Sequence, residues 1–144
     1  MIKVGVRETQ MDSEFRELST QEKELLEKLL NAAVHGREEL RTQLNHVKAK
    51  QIEDDGTLLL ESLGGTGAPG KYALVAEGMC KDADGADIAV MLHLGKGGFM
   101  SMLEIIRYDG SRIINPPSAQ NPVLLMPESP GRVAQAGGAP LTKP

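Results

Sequence analysis

The chain of 144 residues is 40% hydrophobic yet only 3% aromatic, has no tryptophan, and carries a formal net charge of −4. Its length suits one domain of roughly 100 to 115 residues around an aliphatic, methionine-containing core. Neutralising phosphates needs clustered Lys and Arg, and stacking on single strands needs aromatics, so the composition argues against nucleic acid as a partner. A single cysteine, Cys80, rules out an internal disulfide and a Cys-rich zinc site and fits a reducing cytoplasm. No apolar run approaches the ~18 residues of a membrane span, and the N-terminal stretch lacks an apolar signal core.

Residues 1 to 17 read as a lead-in in which "IKVGV" is either a short strand or loose chain. Ser19 with Glu22 three residues on is a capping-box pattern, so a helix starts there. Leu25, Leu26, Leu29, Leu30 and Ala33 lie on one face of it, and Gly36 ends it. A second helix follows over "REELRTQLNHV", with Leu40, Leu44 and Val47 in step. Together the two predict a helical hairpin.

Beyond residue 47 the apolar period falls from 3.6 to 2, as in strands joined by Gly-containing turns. A two-residue turn at Asp55-Gly56 sets Lys50 opposite Glu61 and Ile52 opposite Leu59. One at Asp84-Gly85 pairs Met79 with Val90 and Val75 with Leu94. The glycine-rich residues 95 to 98 pair Leu94 with Phe99, Val90 with Leu103 and Ile88 with Ile105. A last hairpin at Asp109-Gly110 sets Ile105 opposite Ile114 and Ile106 opposite Ile113. These registers predict one buried face of Val75, Met79, Ile88, Val90, Leu92, Leu94, Phe99, Leu103 and Ile105, covered by the helices. They also put Glu77 on that face opposite Leu92. That demands an edge position, a basic partner from a helix, or a register slip at Gly78.

The fold class expected is α+β: an N-terminal helical hairpin on one face of a five- to six-stranded antiparallel meander, with an extended Pro-rich C-terminal tail. The domain spans residues 18 to 114. The tail, 115 to 144, holds seven of the eight prolines and cannot build its own core. Its "VLLM" is a run able to dock on the domain or on a neighbour.

Four strings, "RELSTQEKELLEKLL", "EDDGTLLLES", "DADGADIAVMLHL" and "LEIIRYDGSRI", resemble in order and spacing a small bacterial family catalogued as a domain of unknown function, over roughly residues 16 to 114. The resemblance implies a bacterial, cytoplasmic helix-and-sheet domain and carries over no catalytic or ligand residue.

Chemical motifs are sparse. "DADGADIAVMLH" fails as a calcium loop, because the third ligand position is Ala86, the glycine position is Asp87 and the twelfth is His93. The aspartates read as turn formers. "GTGAPGKY" has Tyr72 where a phosphate loop has Ser or Thr, and a strand is expected after it where that loop needs a helix. His35 and His46 sit near helix ends and lack a third zinc ligand. No metal or cofactor is expected.

The second sheet face is the informative one. Met91, His93, Met100, Met102 and Glu104 share it with Cys80, Leu74, Ala76, Ala89 and Ile106, forming an adaptable apolar surface where a half-exposed sheet is usually polar. These five residues are the candidate binding site. The expected function is a non-enzymatic protein-binding or self-associating module, a homodimer or a toxin-neutralising immunity-like protein. The alternative is a small hydrolase or transferase with a cleft around His93 and Glu104. Cys80 is placed too far along its strand to pair with His93 directly.

Overall fold

A computed structural model describes residues 11–32, 36–70 and 73–126. The stretch "IKVGV", Ala33, His35 and the chain beyond residue 126 lie outside them.

The capping box at Ser19 forms as the spacing predicts. Its hydroxyl accepts from Glu22 N at 3.1 Å, and its own N–H donates to Glu22 Oε1 at 2.9 Å. Helix α1 runs Thr20–Leu30 and buries Leu26, Leu29 and Leu30 completely. It ends at Leu30, earlier than Gly36, which instead is the N-cap of α2, Arg37–Gln43. A single 3₁₀ turn, Leu44–His46, then leads straight into a strand, so Val47 joins the sheet and not the helix.

Among the described residues the sheet has seven strands: β1 Arg16–Glu17, β2 Val47–Gln51, β3 Leu58–Ser62, β4 Leu74–Lys81, β5 Asp87–Leu94, β6 Met100–Arg107 and β7 Leu124–Leu125. Every pairing is antiparallel, and the order across the sheet is β1-β2-β3-β6-β5-β4-β7. This α+β architecture departs from a simple meander, because β3 lies against β6 and not against β4. The chain must cross the sheet between β3 and β4. With β5 on one side and β3 on the other, β6 has no free edge for a strand after Asp109-Gly110. The predicted pairs of Ile105 with Ile114 and of Ile106 with Ile113 are therefore absent.

Turn lengths decide the remaining registers. The β2–β3 loop is two positions from the expected pairing, placing Lys48 opposite Glu61 and Lys50 opposite Leu59. The β5–β6 register is likewise displaced by two, one position from a longer connection and one from a bulge, pairing Val90 with Ile105 and Leu92 with Leu103. A shift of two leaves the side chains of the regular ladder on their predicted faces; Met100, beyond an irregularity between the His93–Met102 and Leu94–Met100 pairs, is the exception. The β4–β5 turn differs by one. Asp82 N bonds Ala86 O, so the loop has three residues, and Gly85 takes the left-handed conformation, with φ of 91°, that such a loop requires. One residue flips β4: Gly78 and Cys80 face inward, Glu77 and Met79 outward.

The core gathers Leu26, Leu29, Leu30 and Leu40 of the helices with Ala49, Leu58, Ile88, Val90, Leu92 and Leu103 of the sheet. Buried leucines of both helices thus share one core with the inward-facing residues of the sheet. Of the predicted buried face, Met79, Leu94 and Phe99 are only half-buried. Residues 114 to 126 wrap back along the domain, and Val123 is buried in the same core.

Candidate interaction surface

Strand alternation leaves three rows of side chains on the face away from the helices. Leu124, Met79, Ala89 and Ile106 form one, running from β7 to β6. In the next, Met91 stands between Glu77 and Glu104. In the third, Leu74, His93, Met102, Leu59 and Lys50 follow one another from β4 to β2. The Lys50 ammonium lies 5.9 Å from the centre of the Phe15 ring at the far side. Apolar exposure is greatest along the first row, where Ile106 is 40% and Leu124 75% accessible.

Four of the five candidate residues come together here. Met91, His93, Met102 and Glu104 are all half-buried neighbours, and His93 Nε2 lies 2.9 Å from Glu104 Oε1, a cross-strand diagonal contact. Met100 does not join them. Between the pairs His93–Met102 and Leu94–Met100 the extra residue Ser101 makes a bulge, which turns Met100 into the core with 1% exposure. Cys80 and Ala76 are also in the core, by the one-residue shift of β4. Burial, and secondarily Asp82, push the Cys80 thiol up, so it is a poor source of thiolate. Glu77 escapes the predicted burial for the same reason. It sits opposite Met91 on the outer face, half-buried.

The aspartates of the β4–β5 turn do more than shape it. Arg107, on the core-facing side of β6 and 7% exposed, spends all five guanidinium N–H groups on three carboxylates. It donates to Asp82 at 2.8 Å, to both oxygens of Asp84 at 3.0 and 2.7 Å, and to both of Asp109 at 2.9 and 3.1 Å. Asp82 accepts further from the N–H groups of Ala83, Ile114 and Asn115. Burial pushes the Asp82 carboxyl up, but the Ile114, Asn115 and Ala83 N–H groups and Arg107 outweigh it and hold it below the aspartate range. Arg107, then Ser111 N–H, lower Asp109 to about 2. The cluster is a structural latch whose cation is the guanidinium.

No local motif announces this latch. Its signal was the phase of β6: with Leu103 and Ile105 inward, Arg107 is inward too, and a buried guanidinium demands carboxylates.

Among the described residues no group of three or more His, Cys, Asp or Glu is placed to hold a metal. His46, the other described histidine, packs its ring against the backbone of Gly64. A cavity of about 160 Å³ lies between α1 and the wrapping segment, lined by Leu25, Lys28, Pro117, Pro122 and Val123 among others. Two more lie between the helices and beside residues 95 to 98. None of the three is lined by His93 or Glu104. Among the described residues no helix is long and apolar enough to cross a membrane.

No curated protein matches the chain, and no solved structure does. A family model described as a domain of unknown function, DUF6984, matches residues 15–117, from just before β1 to just after the latch. The chain belongs to the DUF6984 family.

Proposed function

We propose that the protein is a non-enzymatic binding module that associates with a second copy of itself through the outer face of its sheet. One observation carries this reading: Met79, Met91 and Met102 stand with Leu59, Ile106 and Leu124 on the face that the helices leave open. Leaving contiguous apolar surface in water forfeits about 25 cal/mol per Å², and such patches mark interaction sites. Methionine side chains re-pack readily against a partner.

The His93–Glu104 contact fits this role, since a hydrogen-bonded polar pair can enter an interface at lower cost than two separate groups. The hydrolase or transferase alternative lacks comparable support: the thiol that would serve as nucleophile is on the opposite face of the sheet. A bacterial cytoplasmic setting belongs to the same proposal, as does an immunity-like role.

Replacing Met91 and Met102 together by Lys tests the reading. Light scattering after size exclusion is expected to give a dimer for the wild type and a monomer for the double variant, with unchanged helix content by circular dichroism. An identical oligomeric state for both proteins contradicts it.

A further inference from the structure

Strand β7 belongs to the wrapping segment, and the groove that receives it is built for it. Val123 is 1% exposed and lies over Gly78 on β4. A Cβ at position 78 would stand 2.1 Å from Val123 Cγ1 and 3.2 Å from Leu124 O, so any larger residue there closes the groove. Beyond this notch, Leu124 and Leu125 pair with Met79 and Gly78, and Met126 N donates to Glu77 O at 2.9 Å. Leu125 packs partly against the core while Leu124 points outward, the alternation of a strand added to a sheet edge.

The link to this strand is of a different character. The latch ends with Ile114 and Asn115 bound to Asp82. From residue 116 to 122 nothing is buried, two prolines stand in succession, and a cavity of about 160 Å³ separates the segment from α1. The specific polar anchor in this stretch is Asn121, whose Nδ2 donates to Lys81 O at 2.9 Å and Asn115 O at 2.8 Å. The family match stops at residue 117, before Val123 and β7. The docked end is therefore well fitted, and the connector is exposed and loosely packed.

We propose that the β4 edge with its notch at Gly78 is a strand-accepting groove, filled in the associated protein by residues 118 to 126 of a second copy, so that two chains exchange β7. An equivalent segment from another chain restores the contacts of Val123, Leu125 and the β4 ladder and the Asn121–Lys81 bond; the exposed Pro116-Pro117 link changes course, and the Asn121–Asn115 bond is then made between the two chains. Exchanging an identical element is a low-cost route to a dimer. The inference rests on the self-association reading for its choice of partner: outer-face contact would hold the second copy nearby and raise the effective concentration of its strand. Leu124 is in both features, as occupant of the β4 edge and as the margin of the outer face.

The wild-type protein decides the matter. Chains carrying ¹³C-labelled methyl groups are mixed with unlabelled chains, warmed briefly and cooled, and isotope-filtered nuclear Overhauser spectra are recorded. Exchange predicts an intermolecular contact between the Val123 and Leu29 methyl groups. A dimer in which that contact is only intramolecular overturns the exchange and leaves the outer-face reading standing; a monomer at millimolar concentration overturns both. A complementation experiment reads the groove itself. Full-length Gly78→Val can donate β7 but not accept it, and full-length Val123→Asp can accept but not donate. Mixing them is expected to raise the melting temperature several degrees above that of either alone. Two folded variants whose mixture melts as the sum of its parts contradict the proposal.

Discussion

Arg107 illustrates how much of a residue's role depends on its phase in a strand. Read as part of "IIRYDG", it is an ordinary charged residue before a turn. Two residues on from Ile105, it is buried and collects Asp82, Asp84 and Asp109. The turn-forming role of the aspartates was legible, because Asp-Gly spacing is local. The partner of Asp82 and Asp84 was not, since it comes from a strand 23 to 25 residues away. Acid should expose this latch. The Asp109 carboxyl, at about 2 in the folded chain, stands below the ~3.9 of an unfolded aspartate. A depressed carboxylate contributes stability that is complete above the unfolded value and is lost as pH falls through the folded one. The melting temperature of wild type should therefore exceed that of Asp109→Asn by a constant margin above pH ~4.5, and the margin should shrink between about pH 4 and 2. A margin independent of pH across that window would mean that the carboxylate charge is not what the latch uses.

At the scale of elements, the join between β3 and β6 is a short one inside the sheet, and no local turn signal announces it. Strands β3 and β6 share only two backbone pairs, Leu58 with Leu103 and Leu59 with Met102. Side chains continue the ladder at both ends. The Thr57 hydroxyl accepts from Ile105 N at 3.0 Å and donates to Ile105 O at 3.1 Å. At the other end fully buried Gln43 accepts from Met100 N at 2.9 Å and from the Ser62 hydroxyl, and donates to Thr66 O and Gly98 O. Gln43→Leu would leave buried donors and acceptors unpaired at about 1–3 kcal/mol each, and denaturant unfolding should register a loss of that order. Hairpin signals named the β4–β5 and β5–β6 pairs because turn residues are adjacent in sequence. The long-range β3–β6 pair has no such signal, and the two-position slips went unseen because they preserve the face. Leu103 kept its predicted place, and Leu103→Ala should cost roughly 2–5 kcal/mol by the cavity penalty. Met102→Ala, on the outer face, should cost markedly less in the monomer. The reverse ranking in urea melts would put β6 one residue out of phase.

For the whole molecule, the consequential division is between the two faces of one sheet. Aliphatic periodicity located the helix-covered face, and four of the five proposed contact residues fall together on the other. Two one-residue effects limited that reading: the three-residue turn that flipped β4, and the bulge at Ser101 that withdrew Met100. Neither has a compositional signature, since Gly85 suits both turn lengths. The methionines themselves offer the most direct test of the central claim, that the outer face is covered by a second copy. Methyl-labelled methionine should give Met79, Met91 and Met102 resonances that shift on dilution from millimolar to micromolar protein, and that a paramagnetic cosolute broadens only in the dilute sample. Met100, at 1% exposure, should be indifferent to both treatments. Outer-face resonances that stay fixed on dilution and are broadened equally at every concentration would contradict the account.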